Sequence, residues 1–144
     1  MFIRACGFDS HLGYLYLIMA NYAMAQSLNV FGQPLLLCCN EPKTGFYRDG
    51  FCNTGSNDIG THVICAEMTA EFLNFTKSKG NDLSTPNPFY AFPGLKPGDF
   101  WCLCAIRWKE AYDANAAPKV KLESTHEKAL DFVTIEQLIE HAVK

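Results

Sequence analysis

Between Asn81 and Gly98 the chain carries Pro86, Pro88, Pro93 and Pro97 together with Gly94 and Gly98. Prolines lack a backbone N–H and glycines leave φ unrestrained, so no helix or interior strand survives that spacing. The whole 81–98 stretch therefore reads as one loop. Loops longer than about 12–15 residues in a compact domain are usually functional or disordered, and Phe89, Tyr90 and Phe92 favour a packed loop over a loose one. A second irregular stretch, 40–60, holds Gly45, Gly50, Gly55 and Gly60. Two long loops at these positions break any regular strand–helix–strand alternation. The class that remains is α+β: a single compact domain with a small sheet, three or so helices and long ordered loops.

The elements fall between and around those loops. Residues 28–39 read as short extended pieces about the Gly32-Gln33-Pro34 turn. Thr61–Ala66 is β-rich and reads as a buried strand. Thr69 is placed to cap a helix running to Lys79, with Met68, Phe72, Leu73 and Phe75 as its apolar stripe and Gly80 as its stop. After Pro97-Gly98, Asp99 has the form of an N-cap. Trp101, Cys104, Ala105, Trp108, Ala111 and Tyr112 then recur at helical spacing, which predicts a helix over Phe100–Ala114. Lys119–Glu123 alternates as a strand, and Thr125 is placed to cap a short turn. Thr134 with Gln137 has the capping-box form for a last helix that directs Ile135, Leu138, Ile139 and Ala142 inward.

With 49% hydrophobic and 19% charged residues in 144, the chain is of ordinary globular make-up and long enough for one core. A net charge of −3 with scattered lysines lacks the basic field that a phosphate backbone requires, so nucleic acid is not an expected partner. Seven cysteines, with Cys38 beside Cys39 and one residue between Cys102 and Cys104, do not form the even, spaced set of a secreted disulfide framework. The expectation is a reduced, cytoplasmic protein whose thiols are small buried hydrophobes.

Residues 1–27 stand apart from the domain expected over 28–144. Leu12–Ala25 is an apolar run ending in Ala23-Met24-Ala25, the small-x-small form of a signal-peptidase site, which makes export the alternative localisation. Asp9, His11 and Asn21 argue against that pattern. The run also falls short of the about 20 apolar residues of a membrane span, so no membrane is expected. The preferred reading is an extension upstream of a start at Met19 or Met24, with Leu12–Met24 otherwise a surface helix.

From about Leu28 to Val143 the sequence resembles a family of small, mostly bacterial proteins known as domain of unknown function 2237. The likeness rests on Thr44-Gly-Phe-Tyr-Arg-Asp-Gly50 with Cys52, on Asp58, Gly60, His62 and Cys65, and on Gly80-Asn-Asp-Leu-Ser-Thr-Pro86. Phe92-Pro-Gly-Leu-Lys-Pro-Gly-Asp99, Trp101-Cys-Leu-Cys104, Arg107-Trp108 and Thr125-His126 complete it. The resemblance implies a shared fold and no particular activity. Phe100 stands where a basic residue is more usual in the family.

Three chemistries fit the residues. A thiol nucleophile is one: Cys102 in the first turn of an Asp99-capped helix, or Cys52 in a Gly-flanked loop, with His62 or His126 as base. A zinc site from Cys52, His62, Cys102 and His126 is the second, though neither His62-x-x-Cys65 nor Cys102-x-Cys104 is the usual ligand pair. The third is a small-molecule pocket whose loops offer Arg48, Asp49, Asp58, Asn81 and Asp82, with Arg107 nearby. Against the last stands the plain alternative that Asx side chains hold turns and the arginines tie loops together. The pocket is expected where the 44–60 and 81–98 loops meet the start of the Asp99 helix, as an enzyme or binder lined by Cys52, His62, Cys102, Arg48 and Asp58. The competing class is a metal-stabilised or purely structural interaction domain. No phosphate loop, dinucleotide fingerprint, serine elbow or HExxH occurs.

Overall fold

The computed structural model describes residues 27–144, so the helix expected over Leu12–Met24 and the cleavage-site pattern lie outside the described residues. At the centre is an antiparallel pair, β1 (His62–Glu67) and β2 (Phe100–Cys104), in register from Ile64 opposite Leu103 to Glu67 opposite Phe100. A bulge between His62 and Ile64 interrupts the ladder at its loop-facing end. Both strands are almost wholly buried, which suits their run of Val, Ile, Cys, Trp and Leu rather than a polar–apolar alternation.

Helix α1 (Ala70–Ser78) follows β1. The Thr69 hydroxyl accepts from Phe72 N at 3.0 Å, as the sequence predicts, and Gly80 closes the turn at φ 87°. Helix α2 (Ala105–Asp113) grows directly from β2 and buries Ala105, Trp108 and Ala111. The indole of Trp108 is fully buried and donates to Pro118 O at 3.1 Å, so its one polar atom is satisfied inside the core. Helix α3 (Ile135–Glu140) opens with the expected capping box between Thr134 and Gln137. Among the described residues, the mixed α+β class and the small sheet with three helices stand as expected.

Four expectations are corrected. The helix over Phe100–Ala114 is a strand for its first five residues: aromatic and cysteine side chains also suit a buried strand, and the free edge of β1 supplies the hydrogen bonds that decide the matter. Asp99 accordingly caps no helix; its carboxylate accepts from Lys96 N at 2.9 Å and closes the 96–99 turn. The strand over Lys119–Glu123 shrinks to Val120, which bridges Ala66 and Ala142 before a 3-10 turn at Leu122–Ser124. Ile139, assigned to the core face of α3, is 52% exposed, and Leu138 alone on that helix is buried.

Candidate functional site

The long loops converge on the bulged end of β1. There they enclose a cleft of about 640 Å³ whose wall includes Phe46, Arg48, His62, Asp82, Tyr90 and Trp101, with Cys102 at its floor. It lies where the 44–60 and 81–98 loops meet the segment after Asp99, though that segment is β2 and not a helix.

His62 opens β1. Its Nδ1 lies 2.6 Å from Asp58 Oδ1, while Asp58 Oδ2 accepts from His62 N and from Thr54 Oγ1, both at 2.9 Å. The Asp58 side chain is fully shielded and the imidazole is 38% exposed. Burial pushes the Asp58 carboxyl up, but the bonds from the His62 amide, the His62 ring and Thr54 outweigh it and hold the group below the usual carboxylate value. In the neutral ring, a carboxylate at Nδ1 fixes the tautomer with its proton there and leaves the free lone pair on Nε2. Nε2 has no partner among the described residues. Phe46 stacks on the ring at 6.2 Å between centroids. Gly60 stands close against it: a Cβ at residue 60 would stand 2.5 Å from His62 Cε1, so no larger residue fits without moving the imidazole.

Arg48 adopts φ 55°, a left-handed conformation uncommon outside glycine, and its side chain bridges the two loops. Nη1 donates to Gly45 O at 2.7 Å and Nη2 to Tyr90 O at 3.2 Å, while the guanidinium lies 5.1 Å from the Trp101 ring centroid. Nε is shielded from solvent without a partner among the described residues. Burial lowers the pKa of Arg48, yet a guanidinium stays charged at neutral pH.

The cysteines overturn the expectation of free buried thiols. Cys52 is bonded to Cys102 and Cys38 to Cys65, and Cys104 is the free thiol among the described residues. Cys102 is therefore neither at a helix N-terminus nor a thiolate, and Cys52 is buried rather than open in its loop. Neither has a thiol for nucleophilic attack in this structure. Nor do Cys52 and Cys102 gather with two imidazoles. Among the described residues they converge with Cys38, the three sulfurs lying within 4.8 Å of one another. His126 serves elsewhere, its Nδ1 accepting from Lys128 N at 3.0 Å to cap a 3-10 turn, and burial lowers its pKa.

The other polar residues divide. Asp82 reaches the cleft wall, but both its carboxylate oxygens also hold the 82–85 turn through Ser84 N, Thr85 N and Thr85 Oγ1, and the Thr85 hydroxyl bond leads in lowering its pKa. Asp49 is exposed and accepts from Phe51 N, Asn81 donates to Thr76 Oγ1 at the end of α1, and Arg107 ties Lys79 O to Glu110. For these three the turn-and-tie alternative describes the contacts. Sequence reasoning missed Thr54 behind Asp58, Trp101 beneath Arg48, and Cys38. The signal for Trp101 was present but spent on a helix stripe.

Lys121 lies against the sulfur cluster. It donates from Nζ to Cys38 O at 3.0 Å and from its backbone to Cys65 O at 2.8 Å, and it stands 4.3 Å over the Phe100 ring. Burial lowers it to about 8, with Glu123 and Glu67 pulling the other way.

A family model described as an uncharacterized protein conserved in bacteria, DUF2237, matches residues 28–142. The chain belongs to this family. The match takes in both long loops and, among the described residues, both strands and the three helices of this DUF2237 protein. No curated protein matches the chain. Among the described residues, no helix is long and apolar enough to cross a membrane.

Proposed function

We propose that the cleft takes a small molecule with an anionic group beside an apolar or aromatic body, and that His62 acts on it as a general base. The observation that carries the reading is the 2.6 Å contact of His62 Nδ1 with the buried Asp58 carboxylate. It sets the imidazole in one tautomer and leaves Nε2 to take a proton from the ligand or from a water, with Asp58 stabilising the imidazolium that results. Arg48 supplies the cation for the anionic group, and Phe46, Tyr90, Phe92 and Trp101 supply the apolar wall. A volume of about 640 Å³ suits a ligand of metabolite size.

Ligand-observed NMR with small aromatic carboxylates, aryl phosphates and their neutral isosteres tests this. Anionic members should bind and shift the amides of residues 45–48, 62 and 82–92. Arg48→Met should weaken binding at least tenfold, whereas His62→Gln should retain binding and lose any turnover. Ligands that bind elsewhere, or with equal affinity after Arg48→Met, refute the assignment.

A further inference from the structure

We propose that Cys38, Cys52, Cys65 and Cys102, once their two disulfides are reduced, form a tetrathiolate site for one zinc ion. The site meets the floor of the His62 cleft at Cys102, but its metal binding does not depend on the function proposed for that cleft. Three of the sulfurs already lie within 4.8 Å of one another, and the fourth, Cys65, is bonded to one of these, Cys38. Zinc binds thiolate at about 2.3 Å, so a tetrahedral site spaces its sulfurs about 3.8 Å apart. Disulfide sulfurs lie about 2 Å apart. The rearrangement therefore asks each bonded pair to part by under about 2 Å, and asks Cys65, whose sulfur stands outside the 4.8 Å group, to turn toward Cys52 and Cys102 as it leaves Cys38.

The framework around the sulfurs is built to hold them in either state. Cys65 and Cys102 are direct partners across the β1–β2 ladder, so their side chains leave the same face. Cys38 and Cys52 come over that face from the loop segments before β1, and Cys38 N is held to Gly50 O at 2.8 Å. The Thr44 hydroxyl accepts from Cys102 N at 2.8 Å and the Thr125 hydroxyl from Cys65 N at 3.2 Å. None of these bonds involves sulfur, so none is lost on reduction. All four cysteines are at most 1% exposed, which is the closed environment of a structural rather than a catalytic zinc. A zinc tetrathiolate carries two negative charges, and Lys121, whose Nζ donates to Cys38 O and whose backbone N–H donates to Cys65 O, brings a cation next to the Cys38 backbone. The ligands come from four segments, 38, 52, 65 and 102, so no short Cys-x-x-Cys motif announces them.

The chemistry balances with a dithiol reductant. Each protein disulfide takes two electrons and two protons from one dithiol, which leaves as its own disulfide. The four resulting thiols bind Zn²⁺ and release four protons. Oxidising surroundings keep the disulfides, whereas cytoplasmic thiol pools favour the metal form.

The test uses the full chain reduced anaerobically with a phosphine and titrated with Co²⁺. The expected result is one Co²⁺ per chain, with the visible bands of a tetrahedral cobalt thiolate, displaced by Zn²⁺ and absent from the oxidised protein. Cys38→Ser and Cys65→Ser should each lose that spectrum, and Cys39→Ser and Cys104→Ser should keep it. If the reduced chain unfolds without metal, Zn²⁺ must restore the dispersed NMR spectrum of the oxidised protein, since metal binding is then folding free energy. The proposal is overturned by a reduced chain that shows no thiolate band, by one that stays unfolded with zinc present, or by a site that survives Cys65→Ser or requires Cys39 or Cys104.

Discussion

Replacing Asp58 by Asn tests the arrangement behind His62 most directly. The carboxylate receives three bonds, from His62 N, His62 Nδ1 and Thr54 Oγ1, within a side chain that is fully shielded. Bonds to a charged acceptor contribute about 1.5–3 kcal/mol each. An amide keeps one oxygen for one or two of the donors but turns an N–H toward the third, and relief from burying a charge offsets part of the loss. We expect Asp58→Asn to cost about 2–3 kcal/mol at pH 7. Because the folded pKa of Asp58 lies below its unfolded value of about 3.9, the carboxylate stabilises the fold above that value. That stability is lost as pH falls through the folded pKa. Urea unfolding at pH 7 and at successively lower pH should therefore show the wild-type advantage shrinking below about pH 4. Nitrogen shifts of His62 should report Nδ1–H in the wild type and a mixture of tautomers in the variant. A variant within about 0.5 kcal/mol of wild type at pH 7, well under the contribution of one charged bond, refutes the reasoning, as does a pH-independent difference.

Further outcomes follow from other parts of the structure. Gly60→Ala places a methyl group against His62 Cε1, so the ring should leave Asp58, changing the His62 NMR tautomer signal while circular dichroism holds. Cys52→Ala/Cys102→Ala removes a crosslink spanning 50 residues and should cost about 4 kcal/mol in oxidising buffer by loop entropy, read as a lower urea midpoint. The same pair of substitutions should narrow that difference under a reductant. Thr134→Ala breaks an exposed capping box and should cost about 1 kcal/mol, with faster amide exchange confined to α3.

The parts of the molecule legible from sequence are those governed by local chemistry. Thr69, Gly80, Thr134 and Gln137 announce their helix ends because a cap is satisfied within three or four residues. The meeting of Arg48, His62 and Asp82 could be foreseen as a region, since the loops that carry them are the irregular ones. What could not be read depends on partners far along the chain. Phe100–Cys104 fits helical and extended spacing alike, and only the edge of β1 decides between them. An odd cysteine count pointed away from disulfides, yet pairing follows proximity in space: Cys65 and Cys102 are neighbours only after the strands pair. Ile139 looked inward because it stands four residues from Ile135 on one apolar stripe, whereas on this short helix only Leu138 is buried.

Arg48 is both a wall of the cleft and the strap between its two rims, holding Gly45 O on one side and Tyr90 O on the other. An occupant that draws the guanidinium toward itself must compete with those carbonyls. Affinity and the gap between the rims therefore share a single side chain, and tightening one alters the other. Any change of ligand preference made at this position is at the same time a change in the hinge of the entrance.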